Sequence, residues 1–344
     1  MRLITCRIIA GLIVLIMSTT FSFMACDGND SNGTVVVYTS LDQPFSEPIL
    51  NEFESRTGIE VKAVYDVEAA KTTGLANRLI AEKNRPQADV FWSSEYAQTL
   101  LLKEKGVLTP YDSPSAKEIP AQYRDSENYW TGFAARARVI IVNTELVPES
   151  EYPKSIFDLL DLKWKDEAGI ANPLFGTTAT HAAALFAYLG VNDARAYFEG
   201  LLDNDIHVVD GNSVVRDMVV SGELKIGLTD TDDAYAAVAR GEPVKLIFPD
   251  QNGLGTLLIP NTVALIQDGP HPEAAKQFID FLLSPETEER LAFSTSRQIP
   301  VRESVAHPAD MPSLQEIKGM NVHPQAVAEQ MPDSSQWLKE AFLK

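Results

Sequence analysis

Short β-branched runs alternate with helix-periodic segments along most of this chain, and that alternation limits its possible folds more than any other feature. "TVVVYTS" (34–40) reads as a buried strand. "EPILNEFESRTG" (47–58) reads as a helix with Ile49, Leu50 and Phe53 on one face and Gly58 as its stop, and "IEVKAVYD" (59–66) as the next strand. "GLANRLIAEKNR" (74–85), "ADVFWSS" (88–94) and "EYAQTLLLKEKG" (95–106) continue as helix, strand and helix. Later strands are expected at "RVIIVNT" (138–144), "IHVVDG" (206–211), "LKIGLT" (224–229), "VKLIFP" (244–249) and "TLLIPNTVALIQ" (256–267). Helices are expected at 180–190, 193–204, 213–223, 232–242, 272–284 and 285–294, and 155–166 as a helix or short turn. Such alternation predicts βαβ units and an α/β fold of mostly parallel sheet flanked by helices. With 344 residues the chain outgrows one small core, so two lobes are expected.

The first 25 residues read as an export signal. Arg2 and Arg7 precede the apolar "IIAGLIVLIM" (8–17), which is short for a membrane span. "SFMAC" (22–26) resembles a bacterial lipoprotein processing site, with cleavage before Cys26 and lipid on its sulfur; a conventional secretory peptide is the other reading. Cys6 and Cys26 are the two cysteines, so the exported domain would hold no thiol, disulfide or thiolate metal site. "CDGNDSNG" (26–33) reads as a flexible tether. The formal charge of −19 repels nucleic acid, which argues against a nucleic-acid partner.

The order of motifs resembles a known family. "VVVYTS…FSEPILNEFESRTGIEVKAVYD", "ADVFWSSE", "LLLKEKGVLTPY", "TGFAARARVIIVNTELV" (131–147), "DGNSVVRDMVVSGELKIGLTD" (210–230) and "HPEAAKQFIDFLLSPETEERLA" (271–292) are similar, in that order, to the iron-type solute-binding proteins of bacterial ABC importers. The resemblance implies a two-lobed periplasmic-binding-protein fold with a two-strand hinge. Its lobes would be 34–135 with 258–304, and 136–257 with 305–344. It also implies a ligand held in the cleft, closure by hinge bending, a permease partner in the inner membrane, and a monomer in the periplasm or on the outer face of the cytoplasmic membrane. No cofactor is implied beyond a metal ion carried as ligand.

In open α/β sheets, ligands sit beyond the carboxyl ends of strands, where helix N-termini present free N–H groups. The predicted strands end in Thr39-Ser40, Ser93-Ser94, Asn212-Ser213 (after Asp210-Gly211) and Thr229-Asp230-Thr231, and "PLFGTTATH" (173–181) adds Thr177, Thr178 and Thr180. Each is also a favoured helix cap. Trp92 ends a strand near the expected cleft and can stack on a ligand or sit in the core. In iron binders of the family the strand matching "LKIGL" leads to two adjacent tyrosines that bind ferric ion; here those positions hold Asp232 and Asp233, and Tyr235 stands two residues on. Asp230, Asp232 and Asp233 can cap or lock a hinge, accept hydrogen bonds from a polar organic solute, or ligate a hard cation. Arg136 in "FAARARV" matches a family arginine that contacts the anion accompanying iron; its other reading is an ion pair to one of the aspartates between lobes. The five histidines show no metal spacing, and no H-E-x-x-H, G-x-S-x-G or P-loop occurs.

The sequence therefore points to a lipid-anchored binding subunit of an importer, closing on a small polar or anionic solute or a metal–anion pair. Two alternatives remain at this stage: an exported carboxylate-dependent hydrolase and a ligand-sensing subunit of a signalling system. Adjacent Asp232 and Asp233 argue against the hydrolase, because neighbouring helix residues diverge by about 100°.

Overall fold

The structure is a computed structural model that describes residues 33–66 and 72–342. The expected signal segment, Cys26 and the tether as far as residue 32 lie outside the described residues. The strands are β1 (Thr34–Thr39), β2 (Glu60–Tyr65), β3 (Val90–Ser93), β4 (Leu108–Thr109), β5 (Thr131–Asn143), β6 (Ala168–Ala171), β7 (His207–Val209), β8 (Ile226–Asp230), β9 (Val244–Ile247) and β10 (Leu258–Ile266). The helices are α1 (Gln43–Thr57), α2 (Thr73–Glu82), α3 (Ala97–Glu104), α4 (Gly176–Leu189), α5 (Val191–Asp203), α6 (Asn212–Ser221), α7 (Thr231–Ala239), α8 (Pro272–Leu282), α9 (Pro285–Phe293) and α10 (Pro324–Phe342).

Among the described residues the strands form one path in the order β2-β1-β3-β10-β5-β8-β6-β7, with β4 beside β10 and β9 beside β5. The outer strands of each half pair in parallel, β1 with β2 and β3, and β6 with β7 and β8. Antiparallel pairing enters where β10 meets β3 and β5, and where β5 meets β8 and β9, because these strands carry the chain between the halves. The handover occurs within β5. Ala137 pairs with Leu258 of β10, and the next residue, Arg138, pairs with Asp230 of β8. The architecture is thus a two-lobed α/β fold whose lobes share one strand.

β5 is longer than the sequence suggests. "TGFAARA" has weak strand propensity, yet all thirteen residues of β5 are buried. Ala134 takes φ +41°, next to a register shift at Pro260/Asn261. The last helix, α10, was not read from sequence; it packs against α4 of the second half and α3 of the first. Its Trp337 ring lies 6.0 Å from Phe186, and Gln325 Nε2 donates to Glu104 Oε1 at 3.0 Å. Segment 155–166 forms two short 3-10 turns, Ile156–Leu160 and Leu162–Trp164.

Apolar burial fixes these layers. One cluster runs beneath both halves, from Phe91 and Leu100 through Ile140 to Leu185 and Phe198. In the first half Phe53 of α1 meets Phe278 of α8 edge-on, with centroids 5.1 Å apart. In the second half Val215 and Val219 of α6 pack on Val139 and Ile141 of β5. Gly227 sets the closeness of that layer. A Cβ there would stand 2.3 Å from Val215 Cγ1, so glycine lets α6 lie directly on β8 and brings the start of α6 beside the end of β8.

Candidate functional site

The site sits where β5 passes from one half to the other. On a strand, side chains two apart share a face, so Arg136 and Arg138 both project from the crossing point, and both are buried. Arg138 was not singled out in the sequence, although the R-x-R spacing on a strand is the signal for it. Asp230, at the end of β8, accepts from both. Its Oδ1 lies 2.7 Å from Arg138 Nη1, and its Oδ2 lies 3.4 Å from Arg136 Nη1. Oδ2 also accepts from Thr177 Oγ1 at 2.6 Å and Asn212 Nδ2 at 3.0 Å. Arg138 Nη1 donates further to Asn212 Oδ1 at 2.9 Å. Arg136 Nη1 reaches Asp232 Oδ2 at 3.1 Å, while its Nη2 donates to the Ser94 carbonyl in the other half.

This geometry gives each of the three acids a charged partner. Asp230 occupies the N-cap position of α7 but makes no side-chain cap; its carboxylate is spent on arginines, Thr177 and Asn212. Asp232 faces Arg136, whereas Asp233 pairs with Arg216 at 3.0 Å. The three carboxylates do offer oxygens within 4.8 Å of one another. Each already faces a guanidinium, so the positive charge a cation would bring is in place. Burial alone would raise the Asp230 carboxyl, but Arg138 and Arg136 outweigh it and hold the group below the usual carboxylate range. Burial opposes the charge of Arg136, and Asp232 and Asp230 more than restore it.

Ser94, Arg136, Thr177, Thr178, Asn212 and Asp230 surround a void of about 20 Å³, room for about one water molecule. The lobes are therefore in contact over the site. Two helix ends open on the void. The N-caps of α4 and α6 are Phe175 and Gly211, and neither helix has a side-chain cap. The expectation that hydroxylic residues there act as N-caps is not met. Ser40 stands behind the void, its Oγ accepting from the Ser94 amide at 2.9 Å. Arg136 Nε and Arg138 Nε are buried donors without an acceptor among the described residues.

Other expected ligand groups lie elsewhere. Trp92 is fully buried in the first-half core, its ring 6.0 Å from Phe133, because its side of β3 faces the apolar layer. Tyr235 joins the same cluster and lies under the Arg297 guanidinium at 5.5 Å. Thr39 Oγ1 accepts from the Leu41 amide and Ser93 Oγ from the Glu95 amide, both turning the chain at strand ends. Thr180, one turn into α4, donates to Glu95. Ser213 follows Asn212 at the start of α6 and is partly buried. A second, larger cavity of about 700 Å³ is lined by Tyr123, Trp130, Leu258 and Ile317 among others; none of the expected site residues reaches it, and neither arginine nor lysine lines it.

Residues 86–329 match the profile of a family described as bacterial extracellular solute-binding protein. Iron uptake protein A1 of Synechocystis sp. is 28% identical over 287 residues, 78% of each chain. A putative 2-aminoethylphosphonate-binding periplasmic protein of Salmonella typhimurium is 28% identical over 275 residues, 78% of this chain and 77% of that one. Among solved structures, the periplasmic binding protein AfuA of Actinobacillus pleuropneumoniae, with exogenous fructose-6-phosphate bound, superposes with a TM-score of 0.80 at 22% identity, covering 90% of this chain and 98% of that one. The lobes sharing β5, the small void at their junction and the profile match over most of the length agree: this chain belongs to the bacterial extracellular solute-binding protein family.

Proposed function

We propose that this protein is the lipid-anchored binding subunit of an ABC importer, non-enzymatic, and that it carries a small organic solute bearing a phosphoryl, phosphonate or similar oxyanion. The observation that carries this reading is the convergence of two uncapped helix N-termini and the Arg136 guanidinium on one void. Free N–H groups at a helix start and a guanidinium fork are the donors that oxyanions select. The acids support the same reading. Asp230 and Asp232 both face the Arg136 guanidinium and hold it at the void. A relative is named as a putative 2-aminoethylphosphonate-binding protein, and a solved structure of the same fold holds exogenous fructose-6-phosphate, both solutes of this kind. Ferric transport, named for other relatives, needs anionic ligands free to bind a cation. Here the aspartates at the tyrosine positions face Arg136 and Arg216.

Lipid attachment at Cys26 anchors the domain through the tether, and the permease in the inner membrane is the partner. Native mass spectrometry of the mature protein, with elemental analysis for iron, tests the ligand class. A bound phosphoryl or phosphonate compound and a rise in melting temperature with 2-aminoethylphosphonate or a hexose phosphate are expected. One equivalent of ferric iron, with no response to those compounds, would overturn the reading.

A further inference from the structure

The two halves are joined across the cleft by groups that belong to the chain alone. Glu95 follows β3 in the first half and is fully buried. It is tied to its own half several times. Oε2 accepts from the Ala97 amide at 2.5 Å and Oε1 from the Gln98 amide at 2.9 Å, so the carboxylate fixes the first turn of α3. Its carbonyl accepts from Thr262 Oγ1 of β10 at 3.1 Å, and that hydroxyl also meets Thr99 Oγ1 at 2.7 Å. The carboxylate then receives one bond from the other half, from Thr180 Oγ1 of α4 at 2.8 Å. Thr180 is itself fully buried.

We infer that Glu95 and Thr180 form an inter-lobe latch, and that this pair positions the lobes for solute capture by raising the share of molecules in which they are shut. Opening leaves the amide bonds to Glu95 intact, since they are local to the first half. It exchanges the Thr180 bond for water on Glu95, and leaves the Thr180 hydroxyl with water and its longer bond to the Gly176 carbonyl at 3.4 Å. Burial raises the Glu95 carboxyl above its usual range, while the Gln98 and Ala97 amides and the Thr180 hydroxyl donate to it and oppose that shift; a hydrogen bond to a carboxyl oxygen away from water is costly to leave unmade. Glu95 is rigidly held before closure, so little side-chain freedom is lost on its side when the bond forms. Thr180 lies one turn inside α4, and Thr177 of the same helix holds Asp230 in the solute site. Docking Thr180 onto Glu95 therefore brings the α4 N-terminus up to Ser94 and Arg136. Because apparent affinity scales with the fraction already in the competent arrangement, a shut bias set by the chain adds directly to solute affinity.

The latch rests on the two-lobed fold and not on the ligand class proposed above, and its test uses no ligand. The mature protein is unfolded, dialysed free of solute, refolded and checked by native mass spectrometry. Small-angle scattering then compares wild type with Thr180→Val, which keeps shape and the Glu95 helix contacts, and with Thr180→Ser, which restores the hydroxyl. The wild type and Thr180→Ser are expected to be compact. Thr180→Val is expected to expand, with a roughly tenfold fall in the shut-to-open ratio and faster amide exchange in the first turn of α4. Melting temperatures close to wild type would show that the change is one of lobe position. Glu95→Gln, which retains an acceptor for Thr180, gives a second reading should Thr180→Val fold poorly: it is expected to stay closer to the wild-type profile than Glu95→Ala. An expanded solute-free wild type, or identical profiles for wild type and Thr180→Val, would overturn the inference.

Discussion

Asp230 organises the site at the scale of single residues, and its environment was only half legible. The sequence showed an acid at a strand end next to a helix start, where capping is the ordinary role. What redirected it is the pair of guanidiniums projected by β5 from almost a hundred residues earlier, which local pattern cannot place. His181 has a similar history. It is one of the five histidines without metal spacing, yet it is buried beside Arg138, and burial, assisted by that guanidinium, pulls its pKa down to about 3. The unfolded chain binds a proton there near pH 6.5 while the folded chain does not. Stability contributed by the neutral ring is present above pH 6.5 and declines as pH falls towards 3, by at most about 1.4 kcal/mol per pH unit for one proton. Denaturant melts of wild type and His181→Leu between pH 7 and 4 should show a steeper acid loss in the wild type. Parallel curves would mean that the ring takes up its proton at the same pH in the folded and unfolded chain.

Among elements, the legible parts were those with strong period and clear stops. α1 ends at Gly58 in a left-handed conformation, as its sequence indicates, and β1, β3 and β8 lie where β-branched runs put them. β5 was read seven residues short, because Ala and Gly carry little strand signal; burial on both faces, which only the assembled fold supplies, makes that stretch a strand. α10 was missed because Pro332 interrupts its pattern and its apolar face is recognisable only against α4 and α3. Gly227 ties element packing to the site. Gly227→Ala is expected to push α6 off β8, cost about 1–3 kcal/mol in denaturant unfolding, and shift Asn212 away from Asp230 and Arg138. Solute affinity should fall with it, whereas an alanine at exposed Gly33, where an added Cβ meets nothing, should leave affinity unchanged.

For the whole molecule, the α/β class and the division into lobes followed from alternation and length, and the two-strand hinge from the family resemblance, but neither gave the residue at which the strand changes partners. A thirteen-residue strand that changes partners between Ala137 and Arg138 places both arginines at the pivot. That arrangement has a thermodynamic consequence. The guanidiniums are already matched by Asp230 and Asp232, so a dianion seated on Arg136 leaves at least one carboxylate short of its counter-charge. Its proton affinity then rises on loading. The binding site should take up hydrogen ions on capture, against the proton that the solute itself loses on becoming a dianion, since a phosphoryl group's second pKa lies at about 6. In titration calorimetry of a phosphonate or sugar phosphate at about pH 5, run in two buffers that differ in heat of ionisation, the wild type should release fewer protons than Asp230→Asn, whose position the two guanidiniums govern.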